Sequence, residues 1–178
     1  NNKIFEWVDI SGKENHTIQP DEEKQPTIDD TKLNNLTVSK YMEQGLDSEN
    51  SVTSNTIFVV HKSRKDSYFL DLRQGIPASA ILRWNNHPAD IGSYWETINV
   101  NGNNLQRSLI DETGDFYDIE DIMSNTWQIT ILEGTQTDSG KLSIHNRYND
   151  VSFGQGSIAE MIVYDTDLNE ANKQTIRK

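Results

Sequence analysis

Apolar residues in this chain come only in short runs, each about the length of a β-strand and each closed off by Gly, Asn, Asp or Ser. The runs at 56–61, 67–72, 80–84, 127–132, 142–145 and 158–164 are rich in β-branched and aromatic side chains. Runs of this kind predict strands, because such side chains suit a pleated, half-buried surface. In the run at 127–132, Trp127, Ile129 and Ile131 share one face, and Gln128 and Thr130 share the other. The expected core therefore contains Trp127, Ile129 and Ile131, together with Trp7, Phe58, Val60, Ile162 and Tyr164. Gly134 and Gly140 bracket the stretch before residue 142 and predict a hairpin with a longer loop. Asn101-Gly102, flanked by alternation at Ile98 and Val100, predicts a tight hairpin, since both central residues of a type I′ turn need positive φ.

Only the C-terminal end reads as helix. Asn169 can cap it, Glu170 falls in the first turn, and Lys173, Arg177 and Lys178 lie toward the end. Its apolar face is thin (Ala171 and Ile176), so it needs the rest of the domain to hold it. Many strands and one terminal helix indicate an antiparallel β-sandwich. The polar region 19–30, with Pro20 and Pro26, is expected to be an extended surface loop.

The 178 residues fit one domain spanning 1–178. With no cysteine, the chain has no disulfide, no zinc–thiolate site and no thiol nucleophile. Its formal charge of −12 argues against nucleic acid and disfavours anionic membrane surfaces. No apolar run approaches the ~18 residues of a membrane span, so no membrane insertion is expected. The chain starts Asn1-Asn2, without Met or a signal segment, and reads as a fragment or processed form of a longer protein.

Two segments carry a family resemblance. The first holds Trp7, Asp9, Ser11, Gly12, Asn15 and His16, followed by Gln19-Pro20 and Gln25-Pro26-Thr27. The second runs from Gly156 through Ile158, Ala159, Glu160, Ile162, Val163, Tyr164 and Asp165 to Leu168-Asn169-Glu170. Together they resemble the first motif, and the closing strand and helix, of bacterial and phage laminin-G-like jelly rolls of the concanavalin A-like lectin/glucanase superfamily. The strand at 56–60 resembles a central strand of that family. The resemblance implies an all-β, two-sheet antiparallel jelly-roll sandwich with a short C-terminal helix. It further implies a non-catalytic recognition module that binds a glycan or host-surface polysaccharide. Such a module sits beside neighbouring domains or subunits of a larger extracellular, cell-surface or virion protein. A purely structural capsid-decoration or tail domain and a glycoside-active enzyme are the alternatives. Relatives carry a further strand before the first motif and a longer tail after the helix. The fold is therefore expected to be completed by outside material or a partner's strand, unless residues 98–110 supply the strands internally.

The physics of the first motif stands alone: Asp9 and Ser11 side chains can bond nearby backbone groups, and Gly12 tolerates positive φ, which makes a turn. Three kinds of chemistry compete with such structural roles. Calcium wants several oxygen ligands. Asp9, Asn15 and Glu160 are the candidates; alternatively Asp9 only shapes its turn and Glu160 only faces solvent. Sugars stack on aromatic rings and need polar partners at their rims. The densest such stretch holds Asn85, Asn86, His87, Asp90, Tyr94 and Trp95, although Trp84 shares parity with Leu82 and is expected to face the core. The acids Asp111, Glu112, Asp115, Asp118, Glu120 and Asp121 lack calcium-loop spacing and are expected to form a solvated loop. Catalysis has no candidate, since no segment shows the paired carboxylates of a glycosidase. His16, His61, His87 and His145 follow no ligand spacing and are expected at surface or turn positions.

Overall fold

The computed structural model describes residues 2–63, 67–74, 81–84, 90–91, 95–104, 107–111, 114–117, 126–145 and 154–177. The chain enters through β1 (Glu6–Trp7) and β2 (Thr17–Ile18), then a 3₁₀ turn at Glu22–Lys24. It continues through β3 (Thr27–Leu33), β4 (Leu36–Gln44), β5 (Leu46–Ser63), β6 (Ser67–Gln74), β7 (Ile81–Trp84) and β8 (Asp90–Ile91). Next come β9 (Trp95–Val100), β10 (Asn103–Asn104), β11 (Arg107–Asp111) and β12 (Gly114–Tyr117). It closes with β13 (Gln128–Ile144), β14 (Gly154–Tyr164) and the helix α1 (Glu170–Ile176). The protein is all-β apart from this helix and one 3₁₀ turn among the described residues.

Two long strands organise the sheet. β5 and β13 are 18 and 17 residues long and pair antiparallel from Gln128↔His61 to Ile144↔Leu46. Midway, the register jumps between Glu133↔Thr56 and Asp138↔Ser54. Residues 134–137 thus form a bulge of four residues opposite the single Asn55, whose Nδ2 donates to the Gly134 carbonyl at 3.4 Å. Bulges bend strands. On one side of the bend β5 pairs with β14 and β13 pairs with β9; on the other β5 pairs with β2 and β13 pairs with β6. The order β3-β4-β14-β5-β13-β6-β7-β8 is one hydrogen-bonded sheet. Its two ends curl over each other, because Phe69 of β6 packs on His61 at the far end of β5 with ring centroids 4.4 Å apart. The layers of this sandwich-like fold are halves of one sheet, since β5 and β13 run through both.

This overturns the hairpin expected between Gly134 and Gly140, which both lie within β13. An apolar run ends there, but the strand does not, because pairing with β5 resumes at Asp138 beyond the bulge. The region 19–30 is also more ordered than expected. Gln19 and Gln25 are buried, Gln25 Nε2 donates to the Gln19 carbonyl at 2.9 Å, and β3 starts at Thr27. The edge strand β3 is flanked by residues 2–4, through Ile28 N to Asn2 O and Ile4 N to Pro26 O, both at 2.7 Å. Residues 98–110 do contribute strands, namely the end of β9, β10 and most of β11.

The core has two faces of unequal weight. The main cluster contains Tyr41, Leu46, Ile57, Val59, Phe69, Leu70, Leu72, Ile98, Leu132, Ile144 and Ile158, with Trp7, Met161 and Val163 packed against it. The smaller one contains Phe58, Ile131 and Leu168, with Ile162, Tyr164 and Ile176. The parity expected for β5, β13 and β14 is correct, but the face chosen for the core is the smaller one. Val60, Trp127 and Ile129 are only half-buried, whereas Thr130 and Leu132 on the opposite face are fully buried. A bulge in β14 between Ile158↔His61 and Glu160↔Val60 lets Ile158 and Met161, of opposite parity, both reach the main core.

The helix covers the smaller face. The Asn169 side chain accepts from Asn172 N at 2.9 Å, as its capping role requires. Lys173 Nζ pairs with the Glu133 carboxylate, and Arg177 Nη2 donates to Asn99 Oδ1 at 3.1 Å. Glu133, Ile131 and, through the Ile131↔Asn99 pairing, Asn99 all lie on that face. The Asn101-Gly102 turn forms as expected, with φ of 50° and 91° and Asn103 paired with Val100.

Candidate functional site

The Asp9 turn is built from its own backbone. Asp9 Oδ1 accepts from Ser11 N at 2.8 Å, and Oδ2 accepts from Asn15 N at 2.9 Å. Lys13 N donates to Ser11 Oγ at 3.2 Å, and Gly12 takes the positive φ of 81° that the turn needs. His16 Nδ1 accepts from Asp9 N at 3.0 Å. Partial burial pushes the Asp9 pKa up. The bonds from Asn15 and Ser11 and the charge of His16 more than offset that, and the net pKa is lowered.

The two terminal motifs meet. Lys13 Nζ lies 3.2 Å from Asp165 Oδ2, and Trp7 packs on the same cluster as Met161 and Val163. Of the calcium candidates, Asp9 and Asn15 share the turn through the Asn15 backbone, while Glu160 stands exposed opposite Val60 on β14. Among the described residues no group of three or more His, Cys, Asp or Glu side chains has the geometry to hold a metal ion.

Of the sugar candidates, Asn85, Asn86, His87 and Tyr94 lie outside the described residues. For Asp90 and Trp95 only the backbone is described: Asp90 pairs with Arg83, and Trp95 pairs with Gly134. The inward placement expected for Trp84 likewise lies outside the described side chains. Of the acidic stretch, Asp111 and Asp115 fall in the two-stranded β11–β12 ribbon, where a loop was expected. Glu112, Asp118, Glu120 and Asp121 lie outside the described residues.

A constellation missed in the sequence is fully buried instead. His61 and His145, expected at surface or turn positions, both have 0% exposure. His61 Nε2 lies 2.7 Å from Thr130 Oγ1. His145 stacks on Tyr41 with centroids 4.6 Å apart and meets Phe69 edge-on at 5.4 Å. It does occupy a turn, with φ of 51° at the end of β13. A Cβ on Gly156 would lie 3.0 Å from the His145 ring and 2.7 Å from the Lys62 carbonyl. Burial, and secondly the charge of His145, lower the His61 pKa from 6.5 to about 3. Burial raises the Tyr41 phenol well above its usual range. The signal available in the sequence was parity, since His61 continues the inward set of Ile57 and Val59.

No protein-family model, curated protein or solved structure matches the chain. Among the described residues no helix is long and apolar enough to cross a membrane.

Proposed function

We propose that the chain is a non-catalytic recognition module of the laminin-G-like, concanavalin A-like type, a jelly roll that binds carbohydrate on a larger extracellular, cell-surface or virion protein. The observation that carries the reading is the meeting of the two terminal motifs, through Lys13–Asp165 and through Trp7 on the cluster of Met161 and Val163. Segments that resemble the family's first and closing motifs are thereby neighbours in space. A curled antiparallel sheet with a terminal helix on one face is compatible with that family's architecture. The sugar contacts would come from Asn85, Asn86, His87, Asp90, Tyr94 and Trp95, with aromatic stacking supplying affinity and the polar groups orientation.

A glycan-array screen of the protein with and without calcium tests this, paired with Trp95→Ala and Tyr94→Ala. Selective binding that both substitutions abolish supports the reading; no binding to any glycan, in either condition, removes it. The purely structural module is the second reading. It is favoured by exposed apolar side chains at the first motif, Phe5, Val8 and Ile10, the last at 97% exposure, which suit contact with another subunit.

A further inference from the structure

Asn-Gly occurs once in the chain, at Asn101-Gly102. The pair forms the tip of the β9–β10 hairpin, and both residues are exposed. An asparagine before a glycine carries a reaction within its own backbone. The glycine nitrogen can attack the asparagine Cγ, because the glycine has no side chain to stand in the way. In that step the nitrogen gives up its proton, a new N–Cγ bond closes a five-membered imide, and Nδ2 leaves as ammonia. Water then opens the imide at either carbonyl. The products are aspartate and isoaspartate, the second with the main chain routed through Cβ.

The fold opposes this attack at three points. With positive φ at both positions, the two-residue turn is type I′, the mirror image of type I, for which ψ at the first position is about +30°. That value sets Cβ of Asn101 and the Gly102 nitrogen on nearly opposite sides of the Cα–C bond, whereas ring closure needs them nearly eclipsed. The Asn101 side chain is held elsewhere as well. Its Oδ1 accepts from Ile129 N at 2.9 Å, beside the bond from Asn101 N to Ile129 O at 2.9 Å. The nucleophile itself, Gly102 N, donates to Asn99 Oδ1 at 3.0 Å. That oxygen also accepts from Arg177 Nη2 at 3.1 Å, which braces it against the end of α1.

We propose that Asn101-Gly102 is a latent deamidation site, closed while β9, β10 and β13 are paired and reactive with water once that end of the sheet opens. Opening frees Asn101 from Ile129 and lets ψ turn toward the eclipsed geometry. The product then keeps a record of the event. Isoaspartate adds a backbone atom to a loop whose length fixes the hairpin register, so the Asn103↔Val100 pairing does not re-form as before. This site is independent of carbohydrate recognition.

Ageing of the whole chain at mildly alkaline pH tests the site, with the same chain in concentrated guanidinium as the open reference. Proteolytic digestion and mass spectrometry read the conversion at position 101. Because the reaction runs through the open form, its rate follows the open fraction, and the folded chain should convert at least about tenfold more slowly than the unfolded one. A smaller difference overturns the proposal. Asn99→Ala, which removes the acceptor of Gly102 N, should raise the rate in the folded chain by about threefold or more; an unchanged rate in the folded variant also overturns it. Should the variant fail to fold, the comparison of folded and unfolded unsubstituted chain decides.

Discussion

Lys13 and Asp165, 152 positions apart in the chain, form an ion pair 3.2 Å long that ties the first motif to the end of β14. Both side chains remain about half or more exposed, at 65% and 47%. Water and salt screen such pairs, so the link marks a register more than it stabilises the fold. In a double-mutant cycle with Lys13→Ala and Asp165→Ala, the coupling is expected to stay below about 1 kcal/mol. It should shrink further in 0.5–1 M salt, on the order of a few Å of Debye length. A coupling above about 2 kcal/mol would show a buried role that this geometry does not have.

The unequal faces of the sheet predict a ranking of truncations. Leu132→Ala removes a fully buried side chain from the main cluster and should cost about 2–5 kcal/mol. Ile129→Ala, on the half-buried smaller face, should cost less than half as much. Urea or guanidinium melts that reverse the order would mean that the smaller face is the true core.

Two glycines should respond differently to the same change. At Gly102, φ is 91° and nothing lies within 4 Å of an added Cβ. Gly102→Ala should therefore cost only the left-handed penalty, about 1–2 kcal/mol. At Gly156 the added carbon meets the Lys62 carbonyl on a paired strand, and a backbone atom cannot move aside cheaply. Gly156→Ala should cost more than Gly102→Ala, by thermal or chemical denaturation.

Acid should weaken the fold through His61. Its pKa is about 3 in the folded state against 6.5 unperturbed, so the unfolded chain takes the proton first. The neutral ring's contribution is complete above about pH 6.5 and is lost as pH falls toward about 3, at about 1.4 kcal/mol per unit. Unfolding midpoints in urea from pH 7.5 to pH 4.5 should decline, and should decline less in His61→Gln. An equal decline in the variant would assign the acid response to other groups.

Asp9 runs in the same direction over a lower range. Its pKa lies below the usual carboxylate value because it accepts backbone N–H bonds from Asn15 and Ser11. The stability it supplies is present above the unfolded pKa near 3.8 and is lost as the pH drops through the folded value. Asp9→Ala should shift the urea midpoint by about 1 kcal/mol equivalent at pH 7 and by less as the pH is lowered through the acidic range.

Local features of this chain were determined by the sequence alone. The Asn101-Gly102 turn, the Asp9–Gly12 turn and the Asn169 cap each depend on a few adjacent residues with unusual backbone or side-chain demands, and all three formed as expected. Strand existence was equally legible where β-branched runs were dense, and parity correctly sorted Phe58 from Ile57 and Ile131 from Leu132. The polar strand β4 and the first half of β5 carry no such run and were missed. Tertiary structure decided which parity became the main core, because alternation defines two faces and only distant partners determine which is covered more completely. Phe69 and Tyr41 cover the face of Ile57, Val59 and His61, while among the described residues the other face is covered by Leu168 and by the short helix with Ile176. The same long-range pairing carried β13 past the bulge at 134–137 and on through Gly140, since a partner strand that continues beyond a turn-prone segment supplies hydrogen bonds that a local hairpin would forgo. It also buried His61 and His145 together, from strands that share no sequence spacing.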